Sequence, residues 1–298
     1  MRTQEATARQ EASFFSWVRG MVARHPVAAF LIMVYGVNIL VALVPVLTRR
    51  DLLPFSQAPF DWLGHVVGSA LPAFLVMAAV HGRAGVFDLA RRCLRWRVGL
   101  RWYLLALLGM PIATVLSAST FFGTAPLNAL ADNWQLLFTV VLPHLLLIIV
   151  FSNVAEEVGW TGFLLARLQD RYGPLKASAI VTIPFALFHL PGWFVEFGSG
   201  LIVLEVAAIL LIPHFCSRIL AAWFYNNANR SVLIVGLFHS AFNVTTAEFG
   251  REFISTSGET IFLITSGIVI AAAVLIVVLT RGRPSYRGRE ESAQLSEG

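Results

Sequence analysis

Apolar residues run through this chain in long blocks, not in the strict alternation of half-buried strands. On a ruler of about 20 apolar residues per crossing, the blocks predict spanning helices near 27–47, 60–80, 103–122, 136–154, 177–194, 201–225, 232–246 and 260–280. The expected fold is an all-α integral membrane protein with about eight transmembrane helices in one bundle. Polar sequence gathers only at the two ends, so the expected organisation is a cytoplasmic N-terminal segment 1–25, one membrane domain 26–281 and a disordered cytoplasmic tail 282–298, too poor in apolar surface to fold. The first apolar block has no small-residue cleavage pattern and other spans follow it, so it reads as an uncleaved span and not a signal peptide.

Composition agrees with lipid as the solvent. Of the 298 residues 57% are hydrophobic and 13% charged, and the mean hydropathy is +0.73, beyond what a water-soluble core requires. A sequence pI near 9.8 would point to nucleic acid in a soluble protein. Here the basic residues sit in short loops between apolar runs, where they set membrane orientation, and no nucleic-acid partner is expected. Arg83, Arg91, Arg92, Arg95, Arg97 and Arg101 mark one loop as cytoplasmic. The parity of eight spans then puts Arg167, Arg171, Lys176, Arg230, the arginine-rich tail and both termini on that same side. Arg49, Arg50 and Arg251 fall on the other side, each near an acidic residue. The stretch 87–97 reads as a short helix lying on an anionic leaflet, or simply as a positive-inside loop. Cys93 and Cys216 are too few and too unlike in setting to form a disulfide framework.

Ionisable side chains inside spans cost about 2.5–3.5 kcal/mol each on insertion scales, so each marks a candidate site. Glu156 and Glu157 stand side by side between apolar turns. His189 follows Phe185 by four residues, and Asn243 follows His239 by four, so each pair shares a helical face. At 1.5 Å rise per residue, Glu156 lies about 17 Å from Arg167, His189 about 20 Å from Lys176 and His239 about 14 Å from Arg230. Groups acting on one substrate must share a depth; unrelated structural polar residues need not. His65, His144 and His214 are read as interhelical hydrogen bonders.

The ordered trio Glu-Glu, Phe-x-x-x-His and His-x-x-x-Asn, spread over residues 152–244, resembles the CAAX-protease and bacteriocin-processing (CPBP) family of intramembrane proteases, which includes prenyl-protein endopeptidases. The resemblance implies a CPBP-like protease domain over 26–281, with Glu156 as general base, His189 holding or polarising the water, and His239 and Asn243 donating to the oxyanion. Glu157, Phe185 and Thr161 are then supporting residues. Where the family commonly reads Glu-Glu-x-x-x-Arg, this chain has Thr161, so the group that neutralises the second carboxylate is left open. Arg167 is poorly placed for it, about 240° further round the helix.

The same inventory also fits metal hydrolysis, with Glu156, His189 and His239 as ligands of one zinc ion and an open fourth position. The expectation is therefore no cofactor or one zinc. The resemblance leads to an intramembrane endopeptidase acting on a membrane-embedded or lipidated protein or peptide that enters from the cytoplasmic half of the bilayer. Two alternatives stay open: a noncatalytic binding or immunity protein of the same fold, and a proton-coupled transporter using the same groups as a relay. Few lysines beside many arginines suit a bacterial inner (plasma) membrane.

Overall fold

The computed structural model describes residues 16–49, 64, 66–197 and 201–285. The expectations for residues 1–15, for His65 and for the tail beyond Ser285 lie outside the described residues.

Eight helices follow the predicted apolar blocks: α1 Pro26–Arg49, α2 Leu71–Cys93, α3 Leu100–Phe122, α4 Leu137–Tyr172, α5 Pro174–Phe197, α6 Leu201–Asn227, α7 Val232–Val244 and α8 Gly258–Leu279. Among the described residues six helices are long and apolar enough to cross a membrane. A bent pair, Ser16–Arg24 with Pro26–Val41 at 106°, makes up to seven. The apolar part of α5, Pro174–Leu190, is shorter, so the count of eight holds approximately. Large apolar side chains such as Ile32, Leu116, Phe138, Val150, Ile209 and Leu263 are exposed, as helices facing lipid require. The chain is an integral, multi-pass membrane protein.

Local sequence sets the boundaries. Gly173, at φ 75°, ends α4 in a conformation open mainly to glycine. Pro174 then opens α5 where a missing N–H costs nothing. Ser231 caps α7 by accepting from the Ile234 N–H at 3.3 Å, while its own hydroxyl donates to the Arg95 carbonyl at 2.6 Å.

The second span differs from its prediction. It runs from Val67 to Cys93, and the backbone breaks inside it at Gly82 (φ 61°, ψ −152°). The arginine-rich stretch is helical only as far as Cys93, and Arg92 is not a solvated loop charge. It is buried, donating to the Gly162 carbonyl at 2.7 Å and the Tyr225 hydroxyl at 3.0 Å, with Asp88 as its ion-pair partner at 2.8 Å. A guanidinium has five donors in a rigid fork, and here the fork ties α2 to α4 and α6.

Helix α4 is not a regular α-helix. Wide π-type turns occupy Leu137–Val141, Ile149–Asn153 and Val158–Leu165, flanking one α-turn, Val154–Glu157, that carries both glutamates. All eight residues of the last wide stretch are buried. The glutamate turn packs against α7, the most enclosed of the six spans. Gly236 permits that approach: a Cβ there would lie 2.6 Å from Val154 Cγ2 and 2.8 Å from Val154 Cα. Gly236→Ala is therefore expected to push α7 off α4 and destabilise the protein by about 1–3 kcal/mol, the usual cost of overpacking. A thermal melt of the purified protein in detergent that is indistinguishable from wild type would refute this close packing.

Candidate functional site

Side chains from α4, α5, α6 and α7 line one cavity of about 430 Å³ inside the bundle, among them Glu156, His189, His239 and Asn243. These are the four residues singled out as chemical, and they come from three different helices. Along α4 the row His144, Ile148, Ser152, Glu156 repeats every four residues and so faces the cavity as a stripe. Glu156 is 2% exposed, and its Oε1 accepts from the Ser152 hydroxyl at 3.4 Å.

Glu157 points elsewhere, into a fully buried ion pair. Arg218 of α6 donates from Nη2 to its Oε1 at 2.8 Å and from Nη1 to its Oε2 at 3.1 Å, with the two side chains 2% and 0% exposed. Thr161 donates its hydroxyl to Oε2 as well. His239 Nδ1 donates to Oε1 at 2.9 Å. Thus the question left by Thr161 has a structural answer: the cation that compensates the second carboxylate comes from the neighbouring helix, 61 residues away, and the threonine adds a hydrogen bond to it. A bidentate guanidinium–carboxylate pair is the strong form of such a contact, and burial without it would be prohibitive.

Phe185 is the packing centre of the site. The Arg218 guanidinium stacks over its ring, with Cζ 4.2 Å from the centroid. Its edges meet the rings of His189, His214 and His239 at 4.7, 5.3 and 6.1 Å. Behind it, Trp160 is wholly buried against Phe30, Phe185 and Phe188. The Phe-x-x-x-His spacing therefore does more than put two residues on one face, because the phenyl ring sets the positions of three imidazoles and one guanidinium.

The histidines are oriented by their second nitrogens. A carboxylate only accepts, so His239 must donate from Nδ1 to Glu157, which leaves Nε2 for other partners. His189 Nδ1 lies 2.8 Å from the Phe185 carbonyl. Asn243 Nδ2 donates to Asn153 Oδ1 at 3.4 Å, and Ser152 donates to the same oxygen at 3.0 Å. Asn153 Nδ2 is buried with no hydrogen-bond partner among the described residues.

Three residues of the cavity are not singled out by sequence spacing alone. Arg218 is signalled only by being a charge in the interior of a 27-residue apolar helix. Asn153 sits one turn before Glu156. His214, read as a structural hydrogen bonder, lines the cavity and stacks on His189 at 5.5 Å. His144 pairs with Glu248 at 2.6 Å at the far end of the same cavity. As for a metal, Nδ1 of both His189 and His239 is engaged, which would leave Nε2 of each ring as the ligating atom. Among the described residues no three His, Cys, Asp or Glu side chains are grouped so as to hold an ion. The alternative zinc set of Glu156, His189 and His239 is not among such groups, and no step is derived through it.

Residues 139–245 match the family model described as type II CAAX prenyl endopeptidase Rce1-like, and this segment contains Glu156, Glu157, His189, Arg218, His239 and Asn243. Over 136 residues the chain is 26% identical to CAAX prenyl protease 2 of Methanococcus maripaludis; the match covers 44% of this chain and 48% of that relative. The chain thus spans about half the length of that relative. By its cavity-building segment the chain is similar to the type II CAAX prenyl endopeptidases.

Proposed function

We propose that the protein is an intramembrane endopeptidase that hydrolyses a peptide bond in a membrane-associated protein or peptide. The observation that carries this reading is the convergence of a buried carboxylate, two imidazoles and a carboxamide from three helices on one cavity inside the bundle. Amide hydrolysis needs a base for water, donors for the developing oxyanion and a proton for the leaving amine. Glu156 takes the proton from a water held between it and His189. The attacked carbonyl develops its charge toward His239 Nε2 and Asn243 Nδ2. Because Nδ1 of His239 is committed to Glu157, Nε2 is a donor in the imidazolium form, and Glu157 holds the ring in place for it. Glu156 then returns its proton to the departing amine.

This assignment gives the two adjacent glutamates different work. Glu156 faces the cavity and does the proton transfer, whereas Glu157 faces Arg218 and Thr161 and fixes the machinery. The presence of Arg218 also weakens the noncatalytic reading, since the loss of the family arginine at position 161 is compensated and not left as a defect.

The test is cleavage of a substrate panel by purified protein in detergent. The panel includes a farnesylated CAAX peptide and unmodified membrane-segment peptides, each assayed with and without a strong chelator. Wild type is expected to cleave at least one member, chelation to leave that activity in place, and Glu156→Ala to abolish it while the protein stays folded. Activity that survives Glu156→Ala would overturn the assignment, and activity lost to the chelator would return the chemistry to a metal.

A further inference from the structure

Two cavities lie on opposite sides of the buried layer that contains Glu157. The second has a volume of about 820 Å³, and Arg92, Arg95, Arg167 and Arg230 line it together with Gly162 and Ala166. Those arginines come from the loops and helix ends that the positive-inside rule assigns to the cytoplasm, and the fold gathers them at one end of the bundle. The reaction cavity extends the other way. On α4 its lining runs from Glu156 back to His144, away from Arg167. On α7 it runs from His239 on to Ala247, away from Arg230, and on α6 from Arg218 back to Leu210, away from Asn227. Every helix with chemistry in the site repeats this direction, since α5 contributes Phe185 and then His189 moving away from Lys176.

Exposure follows the same gradient. Phe185, Glu156 and Arg218 form a floor at 2% exposure each, whereas Ala247 is exposed and the His144 side chain is 34% exposed. Between the two cavities on α4, Glu157, Val158, Gly159, Trp160 and Thr161 are all buried. This layer, with the Arg218 ion pair and Tyr225, closes the site on the arginine-rich side. His239 lies nine residues from Arg230 and nine from Glu248, about 14 Å either way, so depth alone favours neither face. The direction of opening decides it.

From this geometry we infer that the reaction cavity opens to the extracytoplasmic face, and that the substrate is a membrane-anchored or secreted peptide presenting its scissile bond from that side. A prenylated C-terminus confined to the cytoplasm meets the closed side of the bundle. The expectation of entry from the cytoplasmic half is thereby reversed. The inference rests on the protease reading only for what enters the cavity; the opening itself can be measured without any cleavage.

Single cysteines are introduced into a Cys93→Ala, Cys216→Ala background as Ser152→Cys in the cavity, Ala247→Cys at its rim and Leu94→Cys at the arginine-rich end. A membrane-impermeant thiol reagent is applied to right-side-out and to inverted vesicles. Label on Ser152→Cys and Ala247→Cys is expected from right-side-out vesicles, and label on Leu94→Cys from inverted ones. Label on either cavity cysteine from inverted vesicles alone, or on neither from right-side-out vesicles, overturns the inference. So does label on Leu94→Cys from the outside. A protein that labels as expected yet cleaves nothing would sink the protease reading and leave the orientation standing.

Discussion

Arg218→Leu is expected to cost the protein about 3–5 kcal/mol, the penalty for removing one member of a buried ion pair and stranding the other. The pair is as enclosed as any in the bundle, at 2% and 0% side-chain exposure, so solvent does not screen the loss. Glu157 would keep Thr161 and His239 as hydrogen-bond donors but no guanidinium. The informative experiment restores the cation at a different place. Position 161 is one turn from Glu157, and its hydroxyl already reaches the carboxylate, so Thr161→Arg in the Arg218→Leu background is expected to recover much of the lost stability. Thr161→Arg alone should instead destabilise, because two buried arginines would then compete for one carboxylate. Thermal unfolding of the two single variants and the double variant in detergent forms a double-mutant cycle. A strictly additive cycle would mean that the arginine's charge is not what position 218 supplies.

That exchange also shows where the sequence is legible and where it is not. The bundle can be read because the cost of bringing a polar backbone into lipid makes each span a long apolar block, and among the described residues each of the eight blocks overlaps a helix, six or seven of them able to span. The cavity residues can be read because Glu156, His189, His239 and Asn243 are polar groups in those blocks at helical spacings, which is local information. Arg218 is equally costly in its span, yet its partner lies 61 residues away, and no spacing rule within one helix reaches that far. Reading Thr161 as an unfilled arginine position follows from looking only at i+4 on α4. The second span is placed too early for a related reason. Hydropathy falls at His81, Gly82 and Arg83, but the helix continues to Cys93, where Arg92 finds a carbonyl and a hydroxyl inside the bundle. The wide turns of α4 carry no composition signal at all, since residues 158–165 are as apolar as any regular span.

Glu156→Gln and Glu157→Gln, though neighbours in sequence and identical as substitutions, are expected to fail in different ways. Glutamine at 156 keeps the volume and a hydrogen-bonding oxygen for Ser152 but removes the base. Activity should fall by about 10²–10⁴-fold, the range attributed to a positioned acid–base group, with the melting temperature near that of wild type. Glutamine at 157 removes the charge on which Arg218 converges and leaves a buried guanidinium without its counter-ion, so stability should fall by about 3–5 kcal/mol. The His239 ring should also loosen, because a neutral carboxamide holds the Nδ1–H less strongly than a carboxylate does. The Glu157→Gln variant should therefore regain part of its stability when Arg218→Leu or Arg218→Met is added, since replacing a buried pair by uncharged groups costs far less than breaking it. No second-site change at 218 should restore activity to the Glu156→Gln variant, because what is missing there is a proton acceptor for the water. Melting curves and cleavage rates for these variants separate the two roles. If both glutamine substitutions lose stability equally, or both keep it and lose only rate, then the division of labour between the cavity-facing and the arginine-facing carboxylate is wrong.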